Sequence, residues 1–392
     1  MSPSSLLRQR GKAESNRVAM VELFFDLVFV FAVTQLSHTL LEHLHLRGAL
    51  QTLLLFLAVW WLWIFTSWVT NWLDPDRPPV RVLLFALMLG GLLLSSSIPQ
   101  AFEQRGLVFG AVFAAMQVGR TAFVAVTMRR HHPVLHENFV RILLWLLLSA
   151  LFWVSGGLAD GAARVMLWAA AVAVEYAGPA LYFYVPGMGR SSTTDWDVDG
   201  HHMAERCGLF VIIALGESIL VTGATFAGLA WTAPTVAAFL AAFLGSVAMW
   251  WIYFDTGAER ASHRIAHSDD PGRQARLAYT YVHLLIIAGV IVCAVADELV
   301  LAHPAHFEGD GRATTAAVIG GPLLYLVGVA LFKWVVSDRR APPLSHCAGV
   351  VLLLALVPVA HAHLLPPLAL GAATTVVLVI VATWETIALR RT

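Results

Sequence analysis

Charge is what this chain has least of: 13% of its 392 residues are Asp, Glu, Lys or Arg, against roughly 25% in soluble domains, which need a wetted exterior. That excludes an ordinary water-soluble globule. Lysine is nearly absent, with Lys12 and Lys333 alone among 25 basic residues, and 25 acidic residues balance them. No basic field exists to hold nucleic acid. Cysteine is scarce as well. Cys207, Cys293 and Cys347 stand far apart with no C-x-x-C spacing, which excludes a disulfide framework and a thiolate zinc site. The chain also lacks G-x-x-x-x-G-K-[ST], G-x-G-x-x-G and G-x-S-x-G, so nothing points to nucleotide or acyl chemistry. No nucleophile and base share a wet helical face, and the expectation is a protein that is not an enzyme and takes no cofactor.

Apolar residues fill the gap, at 58% of the chain. Crossing a ~30 Å hydrocarbon core takes about 20 helical residues, because only intrahelical bonds satisfy the backbone there. Twelve stretches meet that length, at 19–41, 49–72, 80–99, 106–128, 139–157, 162–185, 207–229, 232–256, 276–301, 313–337, 345–363 and 367–389. The fold class is therefore all-α, a polytopic transmembrane helical bundle of about 12 spans. The first stretch is full length with no small-residue cleavage motif after it, so it reads as a retained span. Lys and Arg stay preferentially on the cytoplasmic side. With the N-terminus inside, the outer segments hold Arg47, Arg105, Arg164 and Arg312, two basic residues (Arg120 and Lys333) fall within spans, and the other nineteen of 25 lie inside. Both termini are thus expected in the cytoplasm.

The two halves resemble each other. Residues 108–130 align without gaps on 318–340, matching Val108 with Val318, Gly110 with Gly320 and the terminal Arg pairs, and the same offset carries Glu175 onto Glu385. At a smaller offset Trp60-Trp61 falls on Trp250-Trp251 and Thr66 on Thr256. Six spans is an even number, so duplicated halves run parallel, an arrangement known in transport proteins. Residues 1–18 then form a cytoplasmic tail, 19–185 a first six-helix repeat, 186–206 a cytoplasmic linker and 207–392 a second repeat.

A charge in hydrocarbon costs at least ~2.5–3.5 kcal/mol on insertion scales, so each one needs a partner, a wet cavity or a task. In VELFFDLVFVFAVTQLSH (21–38), Glu22 and Asp26 share one helix face; both are candidates to line a polar path, and the rival reading has them cap or anchor the helix start near its positive dipole end, the reading favoured for Glu22. In HHMAERCGLFVIIALGESIL (201–220), Glu205 and Arg206 are expected at the interface, whereas Glu217 falls near mid-membrane. Glu217 is either a site residue or a strut paired with Arg120, and both readings stand. Glu175 and His283 are further path candidates. Asp255, Lys333 and Glu385 lie near the cytoplasmic interface, where solvation or snorkelling suffices. Asp195-Trp-Asp197-Val-Asp199-Gly200 opens like a calcium loop, but Arg206 stands where the bidentate Glu is required, so no EF-hand is expected. The clusters His131-His132-His136, His201-His202 and His361/His363 lack a completing carboxylate or thiol at metal spacing and read as solvated loop histidines, so no metal is expected.

The segments VELFFDLVFVFAVTQLS and AERCGLFVIIALGESIL resemble the signatures of the bacterial low temperature requirement protein A family, and the resemblance extends over the whole chain in length and helix pattern. It implies a multi-pass bacterial membrane protein of a family linked by name to growth in the cold. The residues add the expectation of a secondary transporter or ion-permeation protein, in which Asp26, Glu217, Arg120 and Glu175 line or gate a polar path between the repeats. The rival reading is a sensor or assembly factor whose buried charges are struts. Expected partners are the lipid bilayer and a small solute or ion, with self-assembly left open.

Overall fold

The computed structural model describes residues 6–8, 17–130, 132–192, 198–255, 271–337 and 341–390. Asp195 and Asp197 of the calcium-like loop, His131, and the expected inner-side charges Arg10, Lys12, Arg260, Arg264, Arg339, Arg340 and Arg391 lie outside the described residues. Among the described residues the secondary structure is helical, with two isolated β-bridges and no strand. Twelve long helices follow one another: α1 Met20–Glu42, α2 Leu46–Trp72, α3 Pro78–Ser97, α4 Gly106–Met128, α5 Pro133–Leu158, α6 Gly161–Ala180, α7 Gly200–Gly228, α8 Ala233–Phe254, α9 His283–Ala302, α10 Arg312–Val335, α11 Leu344–His361 and α12 Pro367–Leu389. Pro stands in the first turn of α3, α5, α8 and α12, where its missing N–H is no loss.

Eleven of these helices are long and apolar enough to cross a membrane. The twelfth expected span, 162–185, corresponds to α6, which does not reach that standard. It is rich in Ala and Gly, carries Arg164, Glu175 and Tyr176, and has Pro179 inside it. Small side chains bury little apolar surface per turn. The helix ends at Ala180 because the chain turns left-handed at Tyr182 (φ 53°) and Phe183 (φ 47°). In contrast, α7 begins at Gly200, ahead of the expected 207. The reason is a cap: the N–H groups of His201 and His202 both donate to Asp199 Oδ1, at 3.0 and 3.1 Å, a start that a hydropathy reading does not register.

Leucines and valines cover much of the exposed surface, among them Leu92 and Leu93 on α3, Leu148 and Leu151 on α5, and Val351 and Leu354 on α11. Water would not tolerate apolar faces of that extent, whereas lipid does. With the eleven apolar helices, this makes the chain a multi-pass membrane protein.

Contacts divide the chain into two units. One holds α1 as far as Thr39 together with Leu46–Met203; the other holds Ala204 onward through α8, and Arg276 through α12, with Leu40–His45. In the first, α4 packs against α5 over a ring cluster in which Phe113 lies 4.5 Å and Trp168 5.6 Å from Trp153, centroid to centroid. In the second, α9 packs against α10 and α8 against α12. A π-helical turn, Arg276–Val282, leads into α9.

Candidate functional site

Several sets of polar groups are buried inside the described helices. In the first unit Arg120, on α4, is almost wholly buried. Its Nη1 donates to the hydroxyl of Thr66 at 2.9 Å and to the carbonyl of Leu62 at 3.2 Å, both on α2. Its Nη2 donates to Gln117 Oε1, and the guanidinium also lies over the ring of Phe65, 5.6 Å from its centroid. Gln117 passes the interaction on, donating through Nε2 to Glu175 Oε2 on α6 at 2.6 Å. The other oxygen of Glu175 accepts from Ser149 Oγ at 2.5 Å and Trp153 Nε1 at 3.0 Å, both on α5. Cation and carboxylate thus sit in one buried network that ties α2, α4, α5 and α6. Sequence expectation named both residues as path candidates; the structure joins them, and the carboxylate that shares Arg120's network is Glu175, where Glu217 was anticipated as its strut partner.

Glu22 does cap its helix, as anticipated: the N–H of Ala19 donates to its Oε2 at 2.8 Å. It does more than that, because Glu22 is wholly buried and also accepts from Arg8 Nη2 at 2.7 Å and His202 Nε2 at 2.9 Å. Both ring nitrogens of His202 are engaged. Asn71 is oriented by Asp199, accepting its N–H through Oδ1 at 3.0 Å and donating Nδ2–H to its carbonyl at 2.8 Å. That same Nδ2 lies 3.2 Å from His202 Nδ1. Nδ1 thus faces the amide donor of Asn71, and Nε2 lies 2.9 Å from Glu22 Oε1 and 3.1 Å from Arg8 Nη2. His202 was expected to be a solvated loop histidine; instead it is fully buried in α7, because Asp199 starts the helix early enough to carry it inside. Arg8 is held by its own backbone, donating through N to the carbonyl of Trp72 at 2.9 Å beside the Leu7–Leu73 bridge. One turn along α1, Asp26 is wholly buried and accepts from Trp63 Nε1 of α2 at 2.8 Å.

The second unit has its own ion pair. Lys333 Nζ on α10 donates to both oxygens of Glu385 on α12, at 2.6 and 2.7 Å, and to the carbonyl of Ile252 on α8 at 2.8 Å. His346 Nε2 of α11 lies 4.0 Å from the same carboxylate. Lys333 is buried, so it does not snorkel to the interface as expected; a carboxylate within reach on α12 makes burial the better option. Asp255, near the expected interface, is exposed and accepts from Thr386 Oγ1 at 2.7 Å. His283 is fully buried at the end of the π-helical turn. Its Nδ1–H donates to the carbonyl of Ala278 at 2.8 Å and its Nε2 accepts from Tyr253 at 2.8 Å. Both ring nitrogens are satisfied, which describes a packed core histidine rather than a relay open to water.

Glu217 is different. It is buried 17 residues beyond the start of α7, about 26 Å along the helix at 1.5 Å per residue. No hydrogen bond or ion pair reaches it among the described residues. Ser218, beside it, is also buried, and its hydroxyl has no partner there either. Of the expected interface pair, Glu205 is half-buried and Arg206 wholly buried. No group of three or more His, Cys, Asp or Glu among the described residues could hold a metal ion.

Sequence reasoning passed over Gln117, Ser149, Asn71 and His202 as site residues, since neutral polar residues carry no signal until their neighbours are known. Comparison with known proteins places the chain. The family model described as Bacterial low temperature requirement A protein matches residues 17–383. An uncharacterized protein of Rhizobium meliloti (strain 1021) is 42% identical over 386 residues, covering 97% of this chain and 92% of that protein. No solved structure matches.

Proposed function

The chain belongs to the bacterial low temperature requirement A family, and from that premise we propose that it is a secondary transporter or ion-permeation protein of the bacterial inner membrane. Glu217 carries the reading. A strut has a partner, and an intramembrane carboxylate with none among the described residues is kept at a cost of at least ~2.5–3.5 kcal/mol, which a task must justify. The cation anticipated as its partner, Arg120, is engaged instead with Thr66, Leu62 and Gln117. Two parallel six-helix repeats fit this reading. The alignment that superposes 108–130 on 318–340 carries Glu175 onto Glu385. Each of those carboxylates serves a buried cation on the fourth long helix of its half, through Gln117 in one case and directly in the other. The asymmetry of arginines along the chain supports cytoplasmic termini.

Reconstitution into phospholipid vesicles tests the proposal, with radiolabelled sodium and an internal pH-sensitive dye as probes. Wild type is expected to move one of the two, and Glu217→Gln to stop that flux while its elution profile and melting temperature stay unchanged. Flux undiminished in E217Q would remove Glu217 from the path. Folded wild type that passes neither probe would favour the sensor or assembly-factor reading, in which the buried charges are struts.

A further inference from the structure

The second unit contains a cavity that none of the networks above uses. It is framed by α8, α9, α10 and α12, and its volume of about 30 Å³ exceeds the ~10–15 Å³ that a single water requires. Asp297, on α9, is the one charged residue in its wall. It lies about 8 Å inside the end of that helix at 1.5 Å per residue, and no hydrogen bond or ion pair reaches it among the described residues.

Most of the rest of the wall is apolar, built of small and aliphatic side chains from the four helices, and the few polar groups in it are acceptors. Thr374 spends its hydroxyl proton on the carbonyl of Gly371 at 2.9 Å, and Thr375 spends its own on the carbonyl of Ala241 at 3.2 Å. Their oxygen lone pairs remain available. Pro322, inside α10, has no N–H to give the carbonyl of Val318 four residues before it, and both residues line the cavity. The oxygens the wall does hold, a carboxylate, two hydroxyls whose protons are spent and a carbonyl deprived of its helical donor, are acceptors, and together they suit a cation. One carboxylate among neutral oxygens also matches a single positive charge; divalent ions are held by sets richer in carboxylates.

We propose that this cavity is a binding site for a small monovalent cation of sodium size, with the Asp297 carboxylate as its charged ligand. The site is independent of Glu217 and does not rest on the transport reading, because binding there can be measured without flux. Cys293 lines the same cavity and supplies a reporter. The experiment uses full-length protein in detergent carrying Cys207→Ser and Cys347→Ser, with a small thiol reagent and with sodium chloride set against choline chloride at equal ionic strength. Sodium is expected to slow labelling of Cys293, and Asp297→Asn, nearly equal in size but neutral, to abolish the difference. Thr374→Val should shift the protective effect to higher sodium concentration. Labelling that ignores sodium in the parent protein would overturn the proposal, as would undiminished protection in D297N or protection by calcium in preference to sodium. Should D297N fail to fold, the sodium response of the parent and of T374V decides on its own.

Discussion

Arg120→Leu is expected to lose ~3–5 kcal/mol of stability, the usual consequence of removing one partner of a buried charged network and leaving the other uncompensated. The geometry explains why no neighbour makes good the loss. Gln117 is oriented by the arginine on one side and by Glu175 on the other. Without the guanidinium, its amide oxygen and the hydroxyl of Thr66 lose a donor inside helices where water has no easy entry. Arg120→Lys keeps the charge but not the planar fork that reaches Thr66 and Gln117 together, so a partial loss is expected there. Glu175→Gln also destabilises, but the double variant R120L with E175Q should recover part of the sum, because no buried carboxylate is then left without its cation. Reversible unfolding of the purified protein in mixed micelles gives the four corners of the cycle. Strict additivity, or an R120L variant as stable as wild type, would show that Arg120 and Glu175 do not act as one network.

Gly289→Leu should disrupt the second unit at least as severely, for a steric reason. A Cβ at position 289 on α9 would lie 2.5 Å from the backbone nitrogen and 2.7 Å from the Cα of Tyr325 on α10. Those atoms cannot rotate away as a side chain can. Overpacking commonly costs ~1–3 kcal/mol, occasionally more, and here helix backbones must part, so the upper end or beyond is expected. Tyr325 is fully buried and donates its hydroxyl to the carbonyl of Met249 at 2.5 Å, so moving it also pulls on α8. Gly320→Leu is the matched control: its Cβ meets nothing within 4 Å, and a change within about 0.5 kcal/mol is expected of an uncrowded site. Thermal melts of the two variants in detergent should separate clearly. A G289L protein that melts with wild type would mean that α9 and α10 can separate freely at that point.

How far the site was legible varies with the kind of residue. Glu217, Arg120, Glu175 and Asp26 were conspicuous because an ionised side chain inside an apolar run is expensive wherever the helix points. Asp297 was overlooked since it falls close to the end of its span, where a charge attracts less notice. His202 was misplaced because two adjacent histidines beside a glycine read as a loop, and only the cap from Asp199 draws them into a helix. Lys333 and Glu385 each looked solvated when considered alone; their mutual reach across α10 and α12 is a property of packing.

Hydropathy and helix length settled from the sequence alone that the chain is a multi-pass helical membrane protein, because the cost of bare backbone in lipid leaves an apolar run of twenty residues few alternatives. Depth along each helix followed from the same count. Tertiary structure alone decided rotation about each axis, and with it which oxygen meets which nitrogen. Side chains a turn apart share a face and differ in depth, so the spacing of Gln117 and Arg120 on one helix already allows them to meet; only the packed helices determine that Arg120 meets Thr66, that Lys333 meets Glu385, and that Asp297 opens on a cavity.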